Sequence, residues 1–160
     1  MRIIGIDPGT GILGFGIIDS SLGKFKLVDA GVIRTSAKED DSTRLLTIYS
    51  ELTTIIEEVS ADVMSVEKLF FAQNVTTAMT VSQARGVVLL AGIQAHLEIF
   101  EYTPLQIKQA MTGYGRAEKI QIQEMVKVLL GLSVIPKPDD CADALAAAIT
   151  HGMSSRYKNK

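Results

Sequence analysis

Asp7 closes the apolar run 2–7 and is followed at once by Pro8-Gly9, so its carboxylate falls at a strand end. By the period of two it shares a face with Ile3 and Gly5. Gly5 leaves that face open to close approach, and an acid beside such a gap calls for a cation. Glu67 ends the run 62–67 in the same way. Asp140 and Asp143 lie three apart at the start of the last helical segment and share one face, with Asp139 four before Asp143. Like charges on one helix face repel, and the helix N-terminus offsets only about 0.3–1 kcal/mol per charge. A divalent ion offsets far more. Asp7, Glu67, Asp140 and Asp143 together suggest a pair of magnesium ions about 4 Å apart, a pattern suited to phosphodiester hydrolysis by in-line attack at phosphorus. No histidine or serine nucleophile is required. The plainer reading, that Asp139 and Asp140 merely cap the helix, leaves Asp7 and Glu67 unexplained.

These acids must be carried to one place by the elements around them. Residues 1–7, 11–19 and 24–33 read as three strands joined by short turns, an antiparallel meander. Leu45, Ile48, Tyr49, Leu52, Ile55, Ile56 and Val59 follow the helical stripe, so the strand 62–67 is reached by a crossover and runs parallel to the first. A helix to about residue 94 follows, in which Gly86 and Gly92 suggest close packing; then come a strand at 97–102, a short helix opened by Pro104, and an amphipathic helix at 118–130 closed by Gly131. Pro136-Lys-Pro138 leads into the last helix, 139–151, with Gly152 as its stop. Alanines at 142, 144, 146, 147 and 148 make this helix slim enough to press on a sheet. The element order predicts an α/β ribonuclease H-like fold. Its five-stranded mixed sheet combines a three-stranded antiparallel meander with two parallel strands, flanked by helices, and sets Asp7 beside Glu67.

The 160 residues, 47% hydrophobic, suit one domain over 1–153, with a loose basic tail at 154–160. No apolar run approaches the roughly 20 residues of a membrane span, and the start is interrupted too early by an acid for a signal peptide, so a cytoplasmic location is expected. Cys141 is the single cysteine and His96 and His151 the only histidines, which leaves oxygen donors and favours magnesium or manganese over zinc. The net charge of −2 weighs against nucleic-acid binding, although a basic rim can coexist with an acidic metal site.

Two other readings compete. Residues 9–14 match G-x-G-x-x-G, but a dinucleotide site needs a helix next, and residues 15–19 read as a strand. Asp7-Pro-Gly-Thr10 also resembles the phosphate turn of actin-like ATPases, which enclose nucleotide between two such domains, and this chain is short for both.

The motifs Ile4-Gly-Ile-Asp-Pro-Gly-Thr10, Val66-Glu67 followed by Phe70, Gln83-Ala-Arg-Gly86, Lys119, Asp140-Cys-Ala-Asp-Ala-Leu145 and Ile149-Thr-His151 resemble, in order along nearly the whole chain, the RuvC family of bacterial Holliday-junction resolvases. The resemblance implies a homodimer that nicks opposed strands of four-way junction DNA symmetrically with magnesium or manganese, in recombination and repair, beside the branch-migration proteins RuvA and RuvB. It places the catalytic acids on Asp7, Glu67, Asp140 and Asp143 and assigns none to Asp139. It also sets Lys108 and Lys119 among functional lysines near the active site and makes Phe70 the residue that stacks on an unpaired base.

From the residues themselves, Lys108, Arg116 and Lys119 gather around the Gly113–Gly115 loop, where cations beside glycines can follow a phosphate backbone. An ordinary solvated surface is the plainer account, and Lys119 could equally pair with Gln123. One of Phe70 and Phe71 is expected in the core, while the other is free to stack, a contact worth roughly 1–3 kcal/mol per base. Arg85 either meets phosphate or pairs with an acid of its own chain. His151 suits a helix C-terminus, and Cys141 suits packing.

Overall fold

The computed structural model describes residues 1–68 and 75–155, so Phe70, Phe71 and the tail beyond 155 lie outside the described residues. Strands β1 (Arg2–Asp7), β2 (Ile12–Ser21) and β3 (Lys24–Arg34) form the expected meander, closed between β2 and β3 by the turn Leu22-Gly23, both at positive φ. Helix α1 (Asp41–Val59) crosses to β4 (Val63–Glu67), which pairs parallel with β1; α2 (Val75–Gln94) leads to β5 (Glu98–Tyr102), parallel to β4. Helices α3 (Pro104–Thr112), α4 (Lys119–Leu130) and α5 (Asp139–Ser154) complete the chain. The strand order β3-β2-β1-β4-β5 is the mixed sheet that the ribonuclease H-like element order predicts.

The sheet divides two apolar layers. Ile4, Ile6, Leu13 and Met64 pack with Ile48 and Leu52 of α1 and Val88 of α2, while Ile3, Ile18 and Val63 pack with Ile107, Val126 and Leu145 of the other three helices. Period-two alternation along β1 therefore decides the side on which Asp7 emerges: with Ile3 and Gly5, against α5.

Helix α5 lies unusually close to the strands. A Cβ on Gly5 would stand 2.0 Å from the Ala144 carbonyl oxygen, one on Gly14 would stand 2.1 Å from that of Asp140, and one on Gly16 would stand 2.6 Å from Leu145 Cγ. The gap beside Asp7 read from Gly5 is thus filled by a helix. Alanines on α5 and glycines on β1 and β2 are the two halves of one close contact. Ser65 fastens the helix to β4 by donating its hydroxyl to the Ala147 carbonyl oxygen at 2.7 Å, in the buried layer. Ser65→Ala is expected to cost about 1 kcal/mol, a fall in Tm of roughly 2–4 °C. Calorimetric melting checks this, and an unchanged Tm would show the bond to be of no consequence.

Several sequence expectations are corrected. Gly152 does not stop the last helix, which continues to Ser154. Gly152 is buried, and a Cβ there would meet Phe25 at 2.6 Å, so this glycine serves packing. Gly92 presses on Met64 as expected, but a Cβ on Gly86 would meet nothing within 4 Å among the described residues. Gly9 to Gly14 lead into β2, antiparallel to β1, so no helix follows the glycines and the dinucleotide reading falls. His151, read as a cap or structural residue at the helix end, takes the structural role: it is buried beneath Phe100, with ring centroids 4.1 Å apart, and its Nδ1 lies 2.9 Å from the Tyr102 hydroxyl. No helix among the described residues is long and apolar enough to cross a membrane.

Candidate active site

The parallel register pairs Ile6 with Val66, so the next residues along the two strands, Asp7 and Glu67, leave neighbouring strand ends side by side. Glu67 shares its face with Ser65, which is bonded to α5, and Asp7 shares its face with Gly5, on which α5 lies. The first turn of α5 then brings Asp140 and Asp143 over the same ends. The helix start is capped by Pro138 without a side-chain hydrogen bond, so Asp139 and Asp140 are not there as caps.

The acids sense one another strongly. Burial raises the Asp7 carboxyl to about 8, reinforced by the charges of Glu67, Asp143 and Asp140 and opposed by Lys119. Burial likewise raises Glu67 to about 7, with Asp143 adding to the effect and Lys119 and Lys108 opposing it. Asp143 is also raised by burial, against the pull of its hydrogen bond from Lys119. Asp7 is the common member, within reach of all three others. Carboxylates this crowded and this far from water are stable as anions only beside a cation.

Part of that cation is already present. Lys119, the first residue of α4, places Nζ 2.8 Å from Asp143 Oδ2 and 3.7 Å from Asp139 Oδ2. Burial lowers its affinity for the proton, but Asp143, Asp139 and Asp7 outweigh that, and the ammonium is held above its ordinary range. Of the partners open to Lys119, it is these two carboxylates, Asp143 and Asp139, that hold the ammonium. A cavity of about 250 Å³ opens beside the acids, with Glu67 and Asp143 on its wall, Lys108 and Lys119 as its cations, and Ile107 and Ile122 among its apolar lining.

The donor set suits a hard divalent ion, being carboxylate oxygen throughout, while Cys141 is buried and its thiol is raised by burial. Among the described residues no three acid, histidine or cysteine side chains close around a common point. The arrangement supplies what magnesium or manganese would need, namely anionic oxygens from three elements, at a site flanked by two lysines.

The structure distributes the other sequence candidates unevenly. Lys108 and Lys119 stand at the acids, while Arg116 is exposed in the loop between α3 and α4. Arg85 takes the second of its two alternatives, an ion pair with Glu101 of β5. Phe70 lies outside the described residues. Three participants were left without a role by the sequence. Asp139 is a partner of Lys119 and Lys137, and nothing local in the sequence signals a pairing across 20 residues. Gly14 and Gly16, which seat the acid-bearing turn, could have been found from their period-two spacing on β2, the same spacing that singled out Gly5 and Asp7.

Comparison with known proteins agrees with this geometry. The family model for the crossover junction endodeoxyribonuclease RuvC matches residues 3–151. The chain is 57% identical over 156 residues to the crossover junction endodeoxyribonuclease RuvC of Caldicellulosiruptor saccharolyticus, covering 97% of this chain and 94% of that protein. Among solved structures it is similar to Thermus thermophilus RuvC, with a TM-score of 0.92 and 34% identity, covering 99% of this chain and 97% of the other. It is also similar to T. thermophilus RuvC in complex with Holliday junction substrate, with a TM-score of 0.90 and 32% identity over 98% of this chain and 96% of the other. A chain matched by this family model over nearly its whole length, with Asp7 and Glu67 at the adjoining ends of β1 and β4, belongs to the RuvC family of crossover junction endodeoxyribonucleases.

Proposed function

We propose that this protein resolves four-way DNA junctions by paired symmetrical nicks, acting as a homodimer in recombination and repair, with Asp7, Glu67, Asp140 and Asp143 holding two magnesium ions that manganese can replace. The observation that carries this reading is geometric: the parallel register sets Asp7 and Glu67 at adjoining strand ends, and the close seat of α5 on Gly5 and Gly14 brings the Asp140 end of that helix against the same strands. Magnesium, when bound, supplies activation of the attacking water and neutralises charge on the leaving oxygen.

The chain's own residues do the rest. Asp7, which feels the charges of Glu67, Asp143 and Asp140, would hold the ions together with them. Glu67 and the α5 acids complete the donor set from either side. Lys108 and Lys119 set cations against the negative phosphate at the mouth of the acid cluster. Arg116, exposed on the neighbouring loop, extends that positive rim along the DNA backbone. Phe70 is the stacking residue in this reading, and Arg85 contacts DNA only if it leaves Glu101. In this reading RuvA and RuvB are its partners and the cytoplasm is its location.

The test is incubation with a synthetic four-way junction, a plain duplex and an RNA–DNA hybrid, with and without magnesium. Nicks confined to the junction and to the metal-containing samples are expected; cleavage of the hybrid in preference to the junction would overturn the reading. A second expectation concerns Lys119. It is 55% exposed, so Lys119→Ala should leave Tm within about 2 °C of wild type. Cleavage should fall by at least roughly tenfold, as expected when a positioned charge is lost from the transition state. Equal fractional losses of folded protein and of activity would deny Lys119 a direct part.

A further inference from the structure

Asp139 is the acid in this cluster that the functional reading leaves without work. It is the first residue of α5, 45% exposed, and makes no capping bond. Its two oxygens have different partners. Oδ1 accepts from Lys137 Nζ at 2.7 Å, which fixes the orientation of the carboxylate, and Oδ2 faces Lys119 Nζ at 3.7 Å. Lys119 in turn lies 2.8 Å from Asp143. One ammonium thus stands between two carboxylates one turn apart on the same helix, closer to Asp143 than to Asp139.

The two acids differ in what they must do next. Asp143 is half-buried and belongs to the proposed ion site, so an arriving divalent cation takes over its oxygens and repels the ammonium beside them. Asp139 lies outside that set and keeps its charge available. Without it, the displaced ammonium would face solvent, and its lost pairing with Asp143 would count in full against ion binding. With it, the ammonium exchanges one carboxylate for another and remains at the edge of the acids, where a scissile phosphate would lie.

We propose that Asp139 is a positioning residue that receives Lys119 from Asp143 when the ions bind, so that ion binding and retention of the lysine at the site do not oppose each other. The inference rests on the functional reading above, in that Asp143 must serve the ions. Gln123 supports the arrangement from below: it is buried on α4 one turn after Lys119, and its side chain lies against Asp139.

The experiment is manganese binding to the DNA-free protein by isothermal titration calorimetry, in wild type, Asp139→Asn, Lys119→Ala and the double variant, with Tm recorded for each. Lys119→Ala is expected to tighten manganese, because the competitor for Asp143 is gone. Asp139→Asn is expected to weaken it roughly threefold when Lys119 is present, the scale of an exposed ion pair, and by less than about 1.5-fold when Lys119 is absent. Asp139→Glu should restore wild-type affinity. Equal weakening by Asp139→Asn in both backgrounds would show that Asp139 acts merely as a distant charge and would overturn the proposal while leaving the ion site intact. Failure of all four forms to bind manganese would overturn the functional reading and the proposal together.

Discussion

Asp7→Asn protein should bind a four-way junction within about threefold of wild type yet nick it at least a thousandfold more slowly, a loss of about 4 kcal/mol in transition-state stabilisation. The substitution keeps the shape of the side chain and removes the one carboxyl that feels the charge of all three other acids. Binding is expected to survive because it rests on phosphate contacts from lysines and arginines rather than on the acids. Gel mobility of the junction without magnesium, followed by single-turnover nicking after its addition, separates the two quantities. Nicking within tenfold of wild type would remove Asp7 from the centre of the chemistry.

The same variant carries a stability signature. A buried acid whose folded-state value is raised to about 8 is bound to its proton more tightly in the native state than in the unfolded chain, so its ionisation costs stability. The cost is absent below the ordinary carboxyl range, grows as pH rises above it, and is complete beyond about 8. Metal-free Asp7→Asn protein is therefore expected to melt above wild type at pH 9, by a margin on the order of a few kcal/mol, and to show little advantage at pH 4. Magnesium should narrow the gap at pH 9 by stabilising the wild type alone. A wild-type advantage at pH 9 without metal would mean that Asp7 is paired in the native state by a cation in the chain itself.

Gly14→Ala tests the other half of the site, the seat on which the acids rest. A Cβ at this position would stand 2.1 Å from the Asp140 carbonyl oxygen and 2.6 Å from its carbon, both backbone atoms that no rotamer change can move aside. The first turn of α5 must shift away from β2, carrying Asp140 and Asp143 with it. A displacement of about 1 Å at reacting groups is enough to cost roughly a hundredfold in rate. Magnesium-dependent nicking should fall at least that far, and Tm should fall by several degrees for an overpacking cost of about 1–3 kcal/mol. Gly5→Ala, which meets the Ala144 carbonyl oxygen in mid-helix, should hurt stability more and serves as the comparison. Wild-type nicking by folded Gly14→Ala protein would show that the acids need no such close seat.

Much of the fold was legible because it is written in local periods. Ile3, Ile4 and Ile6 read as a strand, the α1 stripe as a crossover, and the alanines after Asp140 as a helix meant to lie flat against something. Breaks in those periods were less readable. Gly152 looked like a terminator, yet its neighbours are Phe25, Ser20 and Ile3, all remote in sequence, and those contacts explain it. His151 read as a cap or structural residue, and the choice between them stayed open because nothing nearby in the chain announces Phe100 and Tyr102. Arg85 had two open partners until β5 put Glu101 beside it.

The residue order by itself determined the chemistry available: carboxylates at two strand ends and on one helix face, a single cysteine, two histidines, and so an oxygen-donor site for a hard divalent ion. Those are properties of residue type and short-range spacing, and no folding can change them. The tertiary structure alone decided that the acids meet and what lies between them. Repulsion, burial and the hold of Lys119 on Asp143 and Asp139 depend on separations of a few ångströms. These are set by the parallel register of β1 with β4 and by α5 resting on Gly5, Gly14 and Gly16, contacts between segments as far as 139 residues apart.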